Sequence, residues 1–161
     1  MALTAHDPVC HPPHYTVYPV EPISISRHLG FCLGNILKYV LRAPWKNGVE
    51  DCDKALQYLR LEQETPQKYL DVVTYDTVEN LGIALREYLY MTEGDDLWID
   101  ISQVQGQILD YMLTYLQFGR PDSLRDIEGQ VLELRRILAL RDTTGQIYEG
   151  MTGRPYTQEA E

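Results

Sequence analysis

Four side chains suited to holding a phosphorylated ligand share one edge of a single stretch. Phe31 to Ala43 reads FCLGNILKYVLRA. At helical spacing, Leu33, Ile36, Leu37, Val40 and Leu41 fall on one side, and Asn35, Lys38, Tyr39 and Arg42 on the other. Arg42 suits bidentate phosphate contact, and Lys38 and Lys46 suit contact as point charges. Asn35 suits a base edge or a sugar hydroxyl, whereas Tyr39, Tyr15 and Trp45 suit stacking on a base. His14 is the candidate acid or base near neutral pH, although a histidine beside a proline-rich segment commonly serves packing instead. The plainer alternative for the helix edge is a solvated polar face.

Charge distribution sharpens this pattern. The chain has 161 residues, 24 acids and a formal charge of −10, yet no Asp or Glu occurs from Pro22 through Val49. A basic island in an acidic protein suits a local anion site. A pI near 4.8 argues against broad nucleic-acid binding, which needs a wide basic surface. Cys10, Cys32 and Cys52 are odd in number and scattered, which fits reduced thiols rather than a disulfide frame. No basic segment leads into an apolar run at the N-terminus, and no apolar stretch approaches membrane-spanning length. These features predict no membrane association and a cytoplasmic location.

The elements that must position these groups follow from punctuation. Pro19 and Pro22 exclude a continuous helix over His14–Pro22, where Tyr15, Val17 and Val20 are candidate packing points. Ser24 or Ser26 is expected to cap a short turn ending at Gly30. The central helix ends at Pro44, and Asn47-Gly48 marks a turn. A second helix then runs to about Glu64, with Glu50 and Asp51 at its positive end. So short a connection requires antiparallel packing, which places Lys46 and Lys54 opposite Lys38 and Arg42. Beyond a weak stretch, Asp76-x-x-Glu79 resembles a capping box opening a helix to Met91. Further helices are expected over Leu97–Gln117 and Asp122–Arg141.

The second half repeats the first. Gly34-Asn35-Ile36-Leu37-Lys38-Tyr39-Val40-Leu41 aligns without a gap to Gly106-Gln107-Ile108-Leu109-Asp110-Tyr111-Met112-Leu113. In that copy Asp110 replaces Lys38 and Thr114 replaces Arg42, so it is expected to pack or assemble rather than bind anions. The predicted fold is an all-α helical bundle of two related hairpins plus a connecting helix, assembling as a homo-oligomer. Its parts are a flexible arm at residues 1–13, a nucleotide-binding hairpin at 14–64, additional helices at 65–141 and a loose tail at 142–161.

The order His14-Tyr15, Glu21-Pro22-Ile23, Phe31 through Tyr39, Leu41-Arg42-Ala43 and Lys46 resembles a small domain family of formally unknown function found in tailed bacteriophages. Its best-understood relative is the early nucleoside monophosphate kinase of short-tailed coliphages. The resemblance covers about His11 to Glu64. It implies an infected bacterial cytoplasm, a nucleotide ligand, and phosphoryl transfer without a P-loop, with ATP or another nucleotide as donor and Mg2+ as the usual accompanying ion. Carried over by position, the site is His14, Tyr15, Asn35, Lys38, Tyr39, Arg42 and Lys46. His14 and Arg42 are the catalytic candidates, and Trp45 and Lys54 join the binding set. Where the family usually has Ala-Gly-Lys-Lys, this chain has Ala43-Pro44-Trp45-Lys46. Pro44 removes a backbone N–H from the phosphate-binding region.

That departure favours an alternative, a non-catalytic sponge that sequesters linear or cyclic nucleotide signals of host immunity. An all-α pyrophosphohydrolase needs paired E-x-x-E and E-x-x-D arms for magnesium, and Glu50-x-x-Asp53 supplies one arm alone. Cys10, His11 and His14 offer zinc-type donors but lack a matching second pair. A structural or host-protein-binding role completes the alternatives.

Overall fold

The computed structural model describes residues 16–67, 70–144, 148–149 and 154–155. Six helices lie within them: α1 Pro22–Ser26, α2 Phe31–Arg42, α3 Val49–Glu64, α4 Val72–Met91, α5 Asp96–Phe118 and α6 Pro121–Thr144. Two-residue strands β1 (Tyr148–Glu149) and β2 (Arg154–Pro155) pair antiparallel within the expected tail. The all-α expectation holds for the body of the chain.

The apolar side of α2 is the buried side. Leu33, Ile36, Leu37, Val40 and Leu41 are each no more than 2% exposed, and burying each such side chain favours folding by about 1.5–3 kcal/mol. Gly48, at φ +53°, reverses the chain between α2 and α3. Gly119, at φ +62°, does the same between α5 and α6. Both values lie where a Cβ is strained and glycine is not. Thus α2–α3 and α5–α6 form two hairpins, and they join along α3 and α6. Arg135 Nε and Nη2 of α6 bond the Asp53 carboxylate of α3 at 2.7 and 3.4 Å. At the end of α6, Arg141 is buried and its Nη1 donates to the Pro44 carbonyl at 2.6 Å.

The repeat shares a packing purpose through its glycine. A Cβ on Gly34 would lie 3.1 Å from the Ser26 carbonyl oxygen, so α1 crosses α2 there. A Cβ on Gly106 would lie 2.7 Å from the Tyr90 ring, so α4 crosses α5 at the matching place. The Asp110 that replaces Lys38 accepts from Arg86 at 2.9 Å and from the Tyr90 hydroxyl at 2.6 Å. In the second hairpin, α4 therefore covers the position that carries the cation in the first.

Several boundaries differ from expectation. Helix α4 starts at Val72, with Asp71 as cap accepting from the Thr74 N–H at 2.9 Å; Asp76 lies inside the helix. The Asp71 side chain meets an open N–H one turn earlier, so Asp76 is not needed as a cap. Helix α1 has no side-chain cap, and Glu21 rather than a serine precedes it. Pro22 at its first turn supplies a favourable φ instead. Helix α6 continues to Thr144. In the N-terminal segment the buried anchor is Tyr18, while Val17 and Val20 are partly buried.

Candidate nucleotide-binding face

The candidate face lies where α2 and α3 run side by side. Tyr39 of α2 and Tyr58 of α3 stack nearly parallel, centroids 5.9 Å apart at 16°. Phe31 meets the Tyr58 ring edge-on at 5.7 Å and is 69% exposed. Three cations surround Tyr39: Lys38 Nζ at 4.2 Å from the ring centroid, Arg42 Cζ at 4.8 Å and Lys54 Nζ at 5.7 Å. Each lies within cation–π range. The ring holds the three cations close together, and two of them, Arg42 and Lys54, also have a carboxylate partner.

The cations differ in what else they hold. Lys38 Nζ donates to the Asn35 side-chain Oδ1 at 2.8 Å. Asn35 in turn donates to the Phe31 carbonyl at 2.8 Å, so the amide expected to read a base edge is engaged within its own helix. Lys54 pairs with Glu50 at 2.6 Å, and that hydrogen bond first of all raises its pKa. Both ends of this i, i+4 pair are substantially exposed. Such exposed pairs are weak and screened by solvent, so a phosphate competes with Glu50 readily.

Arg42 departs from the expected role. Its Nε and Nη2 bond the two Asp51 oxygens at 3.0 and 2.7 Å. The Asp51 side chain is fully buried and that of Arg42 is 13% exposed. The bidentate edge that was to grip phosphate therefore ties the end of α2 to the start of α3. A buried carboxylate without a counter-charge is costly, and Arg42 is the nearest cation that can reach it.

Trp45 also has partners within the fold. Its Nε1–H donates to the Tyr18 hydroxyl at 3.0 Å, and its ring meets Trp98 at 4.9 Å. The Tyr18 hydroxyl donates to the Leu41 carbonyl at 2.7 Å, while Gln105 Nε2 donates to both Tyr18 and the Val40 carbonyl. Burial raises the Tyr18 pKa well above its ordinary value. This joint pins the N-terminal segment, α2 and α5 together. Lys46 is exposed on the turn. His14 and Tyr15, and with them the catalytic histidine and the Cys10–His11–His14 zinc reading, lie outside the described residues.

Tyr58 and Phe31 were not among the expected binding residues. Lys54 and Tyr58 share a face of α3 by their i, i+4 spacing, but only the packing of α3 on α2 stacks Tyr58 against Tyr39. The carboxylates of the pyrophosphohydrolase reading have other partners, since Glu50 holds Lys54 and Asp53 holds Arg135. Among the described residues no group of three or more His, Cys, Asp or Glu is placed to hold a metal. No described helix is long and apolar enough to cross a membrane.

Residues 9–60 match the model of DUF3310, a protein family of unknown function. The Gene 1.7 protein of Enterobacteria phage T3 is 42% identical over 69 residues, 38% of this chain and 42% of the relative. The chain thus spans less than half the length of that curated relative. No solved structure matches. The family match takes in α1, α2 and most of α3, with the cation-bearing face, and ends before α4.

Proposed function

We propose that the α2–α3 hairpin binds a phosphorylated nucleotide, with the phosphates at Lys38 and Lys54 and the base along the Phe31–Tyr58–Tyr39 row. The observation that carries this is the meeting of the Lys38 and Lys54 ammonium groups at one aromatic ring beside an exposed phenylalanine. Ammonium groups attract phosphate oxygens, and aromatic faces stack on any base. Asn35 and Trp45 are engaged elsewhere, so the site is suited to charge and stacking more than to base edges.

Two activities fit such binding. Phosphoryl transfer from ATP to a nucleoside monophosphate is what the family resemblance implies, and it requires cations positioned on the transferring group. Arg42 serves it as a positioning residue behind Tyr39. Sequestration without turnover is favoured by the Arg42–Asp51 pair, which withdraws the bidentate edge of the guanidinium from the ligand.

Calorimetric titration with nucleoside mono- and triphosphates and with cyclic di- and trinucleotides tests the binding. Chromatography of the recovered ligand, with ATP and Mg2+ added, tests turnover. Binding that weakens in Lys38→Ala and Lys54→Ala supports the proposal, and a new phosphorylated product assigns a kinase. Tight binding with every ligand returned intact assigns a sponge. Absence of binding to all of them refutes the proposal.

A further inference from the structure

The outer side of α6 carries a stripe that the nucleotide site does not use. Arg125, Gly129, Leu132, Arg136 and Leu140 follow one another at spacings of three and four, so they share one helical face. Leu132 is 48% exposed and Leu140 54%. Single exposed leucines are ordinary, but Gly129 between them is not. It sits mid-helix, where glycine is disfavoured against alanine, and a Cβ there would meet nothing within 4 Å. Nothing within the described chain requires a glycine, unlike Gly34 and Gly106, which admit crossing segments.

We propose that this face of α6 pairs antiparallel with the same face of a second copy of this chain. A register that sets Gly129 of one copy against Leu140 of the other also sets Glu133 against Arg136. The leucine then enters the hollow left by the missing Cβ, allowing close approach of the helices. Glu133 and Arg136 already pair within the helix, at 2.6 and 2.9 Å. Across the contact they form an alternating four-charge cluster. The interface is isologous, because each contact occurs twice about a two-fold axis. The choice of a second copy as occupant rests on this self-complementarity of charge and shape.

Sedimentation equilibrium from about 10 µM to about 1 mM, a range that covers a small, weak interface, tests this on the full chain. The expected result is a monomer–dimer equilibrium. Leu140→Asp and Gly129→Trp should each weaken it at least tenfold, with an unchanged helical circular-dichroism spectrum. Glu133→Arg and Arg136→Glu should each be monomeric alone and form a heterodimer when mixed, since each then meets its opposite charge. Gly129→Ala should raise the melting temperature of the dilute monomer while weakening the dimer. A wild-type chain that stays monomeric throughout, a dimer indifferent to these variants, or charge-reversed chains that fail to associate on mixing would each overturn the proposal.

Discussion

At the scale of single residues, two arginine-like roles separate into structure and binding. Arg42 is bound to the fully buried Asp51, so Arg42→Ala strands a buried charge. It should lower stability by about 3–5 kcal/mol in urea unfolding. Replacing both partners, as Arg42→Met with Asp51→Leu, should recover most of that loss. If Arg42→Ala leaves the unfolding midpoint unchanged, the pair is not structural. In the proposed reading, Lys38 and Lys54 are the residues whose loss reads out binding. Lys38→Ala or Lys54→Ala should weaken a nucleoside triphosphate about tenfold, by the strength of one charge-assisted hydrogen bond. Added salt should shrink that difference. Tyr58→Ala should cost about 1–3 kcal/mol of binding through lost stacking, with fluorescence or calorimetric titration as the measure.

At the scale of elements, the turns and crossings carry the architecture. Gly48 adopts φ +53° between α2 and α3, and a Cβ there would also approach Asp142 Oδ2 at 3.1 Å. Gly48→Ala should therefore destabilise by about 1–2 kcal/mol, the scale of a left-handed strain. Chemical denaturation of the purified variant measures it. An unchanged midpoint would mean the turn relaxes freely. Gly106→Ala pushes into Tyr90, whose hydroxyl holds Asp110. Its effect should concentrate in α4, visible as faster amide exchange there than in α3.

At the scale of the whole molecule, one core runs through both hairpins. Ile36, Leu59, Trp98, Ile108, Leu134 and Leu138 belong to the same buried cluster. The α2–α3 hairpin thus loses the partners of its apolar side when α5 is absent, and Tyr18 loses Gln105. A fragment ending at Gln67 should show no cooperative unfolding transition, although it contains the whole candidate face. The core also sets an alkaline limit. Burial pushes the Cys52 thiol up to about 12 and raises Tyr18 as well. Unfolded, each group releases its proton nearer its ordinary value, so the unfolded chain binds fewer protons at high pH. The stability these groups contribute is fully present below about pH 8.5. It declines as pH rises from there toward 12, and Cys52→Ala should flatten part of the slope. A melting temperature level from pH 8 to 11 would contradict the shift.

The amino-acid sequence by itself determined the helices, the turn at Gly48, the repeat and the cation-rich edge of α2, because these follow from local spacing. Helical period assigns Leu33 through Leu41 to one side, and proline and glycine mark the ends. It also made Lys38, Tyr39 and Lys54 legible as one face, since the short turn leaves no alternative to an antiparallel pair. Only the tertiary structure decided which of those polar groups remain available. Arg42 turns to Asp51 because burial of that carboxylate demands a counter-charge. Trp45 turns to Tyr18 and Trp98 because the N-terminal segment brings it an acceptor hydroxyl and α5 brings it an aromatic ring. Tyr58 and Phe31 join the face because α3 packs against α2 in one particular rotation. Burial and partner choice depend on segments distant in the chain, and spacing along one helix carries no record of them.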